Sequence, residues 1–186
     1  MRTLIAVGLD LCQLEATDDA GPDKLALGGR AGLTSPIVQD DQSNGAVFGF
    51  HIRYQVLPIL VLEPNITFSK YGDPDPIEGV DLGISGSKVS AFGIDATLGN
   101  AVARRGFKPY AVVGLGFYSQ SNDDTDVYED AGTKMGISGG FGFGIGISPK
   151  FDLDLRGQLH VVRAEEGGSK KAASITGGFT FYPGGN

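Results

Sequence analysis

Strict two-residue alternation of large apolar with small or polar residues, sustained over most of the chain, limits what it can fold into more than any other feature. It is plainest in "MGISGGFGFGIGIS", where Met135, Ile137, Phe141, Phe143, Ile145 and Ile147 share one row. Gly136, Ser138, Gly140, Gly142, Gly144 and Gly146 share the other. Successive side chains of a strand point to opposite faces, so this period predicts strand rather than helix. Thirty glycines, nine prolines and no tryptophan agree with short strands joined by turns, because glycine and proline are the weakest helix formers.

Eight such segments are predicted, over about 24–34, 45–56, 60–70, 88–98, 108–118, 134–147, 151–162 and 171–182. Most reach the roughly 9–11 residues a tilted strand needs to cross a bilayer. Longer connections, 34–45, 70–87, 119–133 and 163–171, follow the odd segments, and "LPI", "GNAVARRGF" and "SPK" follow the even ones. Transmembrane barrels share this asymmetry, with short periplasmic turns and long surface loops. The chain is thus expected to be all-β: an eight-stranded antiparallel up-and-down transmembrane β-barrel. "TLIAVGLDL" is left out of the count because a ninth strand would make the number odd. Residues 1–23 are expected to be an N-terminal lead-in, the remnant of a signal peptide, and 24–186 the barrel domain.

The two rows could be arranged either way, and function depends on which faces inward. Beyond residue 151, Phe151, Leu153, Leu155, Leu159 and Val161 alternate with Asp152, Asp154, Arg156, Gln158 and His160. A turn centred near Pro149 sets Gly146, Gly144, Gly142 and Gly140 opposite Asp152, Asp154, Arg156 and Gln158, and a turn near Pro58 sets Arg53 opposite Glu63. Bare glycines facing long polar side chains suit a narrow, filled lumen, whereas on a solvated face they would only weaken the strand. Buried charges need partners, so Arg30, Arg53 and Arg156 are expected to meet Glu63, Asp95, Asp152 and Asp154 inside, with His51, Gln158 and His160 completing the polar network. The leucines then face lipid.

The stretches "KPYAVVGLGFYS", "VFGFHIRYQVLPILVLEPNITFSKYG" and "ITGGFTFY" resemble the small eight-stranded outer-membrane β-barrels of Gram-negative bacteria, the outer-membrane protein A-like and porin-family group. The resemblance spans about residues 24–182. It implies an outer-membrane location, a lumen too narrow for a general pore, no catalytic residues, and a structural or surface-contact role in the envelope. Membrane lipid, lipopolysaccharide and an extracellular partner reached through the loops are the implied partners. Pro64 falls on the outward row of the third segment, where its missing N–H predicts a bulge. Tyr54, Phe68, Tyr110, Phe117, Tyr118 and Tyr182 lie near strand ends and are expected at the membrane interfaces.

A net charge of −7 argues against nucleic acid. His51 and His160 are the only histidines and Cys12 the only cysteine, so neither a histidine-based zinc site nor an internal disulfide is expected. The glycine spacing matches no dinucleotide loop, and no cofactor is expected. Acids at Asp73, Asp75, Glu78, Asp123, Asp124, Asp126, Glu129 and Asp130 make weak calcium binding conceivable, though not in EF-hand order. Two other functions fit parts of the sequence. A soluble lipocalin-like barrel would turn the apolar rows inward around a hydrophobic ligand. A lipid hydrolase would use Ser138 of "GISGG", with His160 abreast of it, although G-x-S-x-G needs a strand–turn–helix elbow that the pattern lacks.

Overall fold

A computed structural model of the chain describes residues 25–37, 43–73, 86–99, 106–121, 132–163 and 168–183. Eight strands follow one another: β1 (Leu25–Pro36), β2 (Ser43–Leu57), β3 (Leu60–Gly72), β4 (Lys88–Gly99), β5 (Gly106–Ser121), β6 (Lys134–Ser148), β7 (Phe151–Arg163) and β8 (Ser169–Phe181). Each pairs antiparallel with the next, and β1 pairs with β8 to close the barrel. Closure leaves no edge strand, so every neighbour can complete the backbone hydrogen bonds that lipid cannot supply. At one end the connections after β2 and β6 span only Pro58–Ile59 and Pro149–Lys150, and at the other the strands run toward the longer connections. These are called the turn end and the loop end below. Gly99 and Gly106 bracket the β4–β5 connection at φ 132° and 94°, a region of backbone space open chiefly to glycine.

The strands outrun the hydrophobic pattern, most of all β5, which begins at Gly106 and continues to Ser121. Pairing with β6 begins already at Gly106, and pairing with β4 carries the strand past Tyr118 to Ser121. The lead-in 1–23, with "TLIAVGLDL" and Cys12, lies outside the described residues.

The apolar rows face outward. Phe48, Ile145 and Leu155 are 53, 47 and 43 % exposed, and Leu27, Phe50, Phe92, Leu115, Phe141 and Ile175 are exposed with them. The lipocalin-like arrangement, which needs these side chains to meet across an enclosed centre, is excluded.

Pro64 does not produce the expected bulge. Pairing with β2 runs through His51↔Asn65, skips Ile52 and Arg53, and resumes unshifted at Tyr54↔Leu62. On the β4 side the ladder passes straight through Pro64↔Ile94. A proline lacks one donor, and that donor would point to only one neighbour, so a single hydrogen bond is lost and no residue is inserted. The register shifts of this hairpin fall nearer its ends, between Ser43 and Ala46 and between Gln55 and Leu57.

Candidate functional site: the barrel interior

Inward side chains of three strands converge on one carboxylate of a fourth. Glu63 on β3 is fully buried and receives three arginines. Arg156 on β7 grips it with both terminal nitrogens, at 2.9 Å to Oε1 and 3.0 Å to Oε2. Arg53 on β2 donates from Nε at 2.8 Å, and Arg30 on β1 donates from a terminal nitrogen. Arg156 also reaches Asp95 on β4 at 3.0 Å, and Arg53 reaches Asp154 on β7 at 3.2 Å. Tyr110 on β5 donates its hydroxyl to Asp154 and accepts from Arg156 Nε at 3.2 Å, while its ring lies beneath the Arg156 guanidinium. Strand alternation accounts for the convergence: on each strand these residues have the parity opposite to the exposed apolar row.

Nearer the turn end a smaller cluster closes the cross-section. Lys108 Nζ lies 2.6 Å from Asp152 Oδ2, and the Tyr182 hydroxyl donates to the same oxygen at 2.8 Å. Ala26, Val61, Tyr110 and Tyr182 form the apolar part of this packing. His51 lies against Thr180, Nε2 to Oγ1 at 3.2 Å. Gln158 donates to Asp95 at 3.4 Å and to Ser138 at 3.3 Å. The structure thus brings Arg30, Arg53, Glu63, Asp95, Asp154, Arg156 and Gln158 into one network, places Asp152 in the cluster below, and sets His51 and His160 apart from both. Bidentate and charge-assisted bonds are the strong class of hydrogen bond, and burial away from water strengthens them further.

Three residues that complete this interior, Lys108, Tyr110 and Tyr182, are not among those anticipated from sequence. Tyr110 and Tyr182 belong to the barrel interior rather than to an interfacial belt, and Tyr118 also turns inward, its hydroxyl 3.1 Å from His160 Nδ1. The signal that could have found them is the parity of "GFKPYAVVGLGFY": Lys108, Tyr110 and Tyr118 alternate with Phe107, Val113, Leu115 and Phe117. Tyr54 and Phe117 do face outward, and Phe68 stacks on Phe48 with ring centroids 5.3 Å apart.

The β6 glycines sit opposite Asp152, Asp154, Arg156 and Gln158, but they make room for other groups. A Cβ on Gly142 would fall 2.5 Å from the Tyr110 ring and hydroxyl, and one on Gly136 would fall 2.8 Å from the Tyr118 ring. Tyr110 is the direct cross-strand partner of Gly142, so its ring folds over its own neighbour. At Gly140 the obstacle is the β7 backbone, with the carbonyl oxygen of Gly157 at 2.0 Å. The bare row therefore serves β5 side chains and close approach of the β7 backbone.

His160 is abreast of Ser138 on the ladder, yet its bonds go elsewhere: Nε2 to Ser174 at 3.1 Å and Nδ1 to Tyr118. Ser138 is held by Gln158, and β6 continues as strand on both sides of it, so the nucleophile elbow is absent. Among the described residues no group of three or more histidines, cysteines or acids could hold a metal ion. Of the acids considered for calcium only Asp73 is described, and it accepts the backbone N–H of Gly86 at 2.8 Å.

Comparison with known proteins agrees with this architecture. The structure resembles Neisserial surface protein A, with 14% identity, 88% of this chain and 99% of that chain covered, and a TM-score of 0.68. It also resembles the N-terminal β-barrel domain of Pseudomonas aeruginosa OprF, with 15% identity, 86% and 98% covered, and a TM-score of 0.55. For Yersinia pestis Ail in a phospholipid bilayer nanodisc the values are 14% identity, 85% and 99% covered, and a TM-score of 0.50. At these identities the likeness concerns the fold. Among curated proteins none matches the chain. The model of the family described as outer membrane protein beta-barrel domain matches residues 4–181. The chain belongs to this family of bacterial outer-membrane β-barrels.

Proposed function

We propose that the protein is a non-enzymatic structural or surface-contact barrel of the bacterial outer membrane, its lumen closed by the ion-pair network centred on Glu63 and Arg156. The observation that carries this reading is the crossing of the interior by six strands' side chains. Arg30, Arg53, Glu63, Asp95, Tyr110, Asp154 and Arg156 are bonded to one another from wall to wall. An ion following the barrel axis would have to break several charge-assisted bonds at once. The long connections face the cell exterior, as in bacterial barrels generally, and offer the surface for an extracellular partner.

At the loop end Lys70 and Lys88 are cross-strand neighbours on the outward rows, as are Val161 and Lys171 next to Arg163. All four basic residues are exposed just beyond the apolar belt, which suits the phosphates of lipopolysaccharide in the outer leaflet. Reconstitution into planar bilayers tests the closed lumen. The parent barrel is expected to pass no steady current, and Arg156→Ala combined with Tyr110→Ala is expected to open a conductive path. Stable single-channel conductance from the parent would refute the closed lumen, and lipid hydrolysis that is lost in Ser138→Ala would refute the non-enzymatic assignment.

A further inference from the structure

Above the ion-pair network the interior is hollow. A cavity of about 400 Å³ opens toward the loop end, with Arg30, Asp95 and Gln158 among the residues at its floor. One wall is the inward row of β3, where Asn65, Thr67, Ser69 and Tyr71 rise in alternate positions from the network to the rim. Ser174 and Thr176 of β8 and His160 of β7 add polar groups to the lining, and Val47, Val89, Ala91 and Val162 make the apolar faces between them.

We infer that this vestibule is a binding site for a small, neutral, polyhydroxylated molecule of sugar size that enters and leaves from the loop end. Three observations carry the inference. At the roughly 30 Å³ that a water molecule occupies in the liquid, the cavity holds about thirteen water-sized groups, the scale of a hexose, and it falls within the size range of small-molecule pockets. Its wall has unspent hydrogen-bonding capacity: among the described residues Thr67, Ser69 and Thr176 make no side-chain hydrogen bond, and Asn65 uses only its amide nitrogen, toward the Glu63 carbonyl. Hydroxyls both donate and accept, so a row of them matches a ligand whose groups do the same.

The charges at the cavity floor are engaged within the protein, and Arg163 and Lys171 at its rim belong to the outward rows, which together select against a charged ligand in the interior. Arg30 is bonded to Glu63, Asp95 to Arg156 and Gln158, and Lys170 at the rim donates to Gln120 at 2.8 Å. A ligand cation would meet Arg30, Lys134 and Lys170, and a ligand carboxylate would lie over Asp95. The floor makes the vestibule a dead end, so occupancy needs no transport.

The test is two-dimensional NMR of the isotope-labelled full chain folded in detergent micelles, titrated with D-glucose, sucrose, glucuronate and glucosamine. Glucose or sucrose should give saturable shifts centred on residues 65–71 and 174–176, with both charged analogues weaker. Thr67→Val and Ser69→Ala keep shape and remove one hydroxyl each, and each should weaken binding by about two- to tenfold, the worth of one hydrogen bond. Val89→Phe should abolish binding by filling the cavity. Phe50→Leu, on the outward row and away from the cavity, should leave it unchanged, and unheated gel mobility checks that every variant folds. The inference is overturned if neither neutral sugar saturates, if glucuronate alone does, or if Thr67→Val and Ser69→Ala bind like the parent. A parent that both conducts ions and binds sugar would refute the closed lumen while leaving this site in place.

Discussion

Replacing Arg156 by methionine isolates the electrostatic part of the interior, because a long unbranched side chain is kept while the charge is lost. Arg156 makes two bonds to Glu63, one to Asp95 and one to Tyr110, at 2.9, 3.0, 3.0 and 3.2 Å. Glu63 would retain Arg30 and Arg53, but Asp95 would be left with Gln158 alone, at 3.4 Å. Arg30, Arg53 and Arg156 balance Glu63, Asp95 and Asp154 in this network, so the variant holds one excess buried negative charge. Removing one member of a buried pair costs about 3–5 kcal/mol, several times the ~1 kcal/mol of an ordinary hydrogen bond. Adding Asp95→Asn removes the excess charge, so the double variant should be more stable than Arg156→Met alone, with a coupling of about 1–3 kcal/mol. Urea unfolding in lipid vesicles measures this, followed by circular dichroism and gel mobility because the chain has no tryptophan to report by fluorescence. A loss below about 1 kcal/mol for Arg156→Met, together with additive effects in the double variant, would show that the interior charges are solvated and would refute the reasoning.

Other substitutions separate the two faces and the glycine row. Leu155→Arg, on the outward row near the middle of β7, should destabilise the barrel by about 2–4 kcal/mol in lipid vesicles, as a cation does at bilayer mid-depth. Gly142→Val should cost about 1–3 kcal/mol in urea titrations by displacing the Tyr110 ring, and the loss should shrink when Tyr110→Ala is added. Pro64→Ala restores the donor missing opposite β2, so the new amide should be protected in hydrogen exchange and stability should rise by no more than about 1 kcal/mol.

How far each feature could be read from sequence follows from how local its cause is. Alternation is local: each residue's row is set by its neighbours, so eight strands, the two turns at Pro58 and Pro149, and the opposition of Gly142 to Arg156 were all readable. The requirement that buried charges find partners is general, and it singled out Arg30, Arg53, Arg156, Glu63, Asp95 and Asp154 before their geometry was known. Tyr110 and Tyr182 were missed because their strand-end position suggested a membrane interface, and Lys108 was not singled out, whereas parity, which decides the matter, points all three inward. Pro64 misled for a related reason: a proline's cost depends on which neighbour its missing donor would have met, and that is fixed by the sheet.

The alternating pattern by itself determined strand number, strand order and which row is oily, because these depend on residues one or two positions apart. Only the closed barrel decided which acid each arginine meets, that Gly142 clears space for Tyr110 and Gly140 for the β7 backbone, and that a hollow remains above the network. These outcomes depend on which side chains from strands far apart in sequence share one level of the barrel, and closure and stagger alone set that.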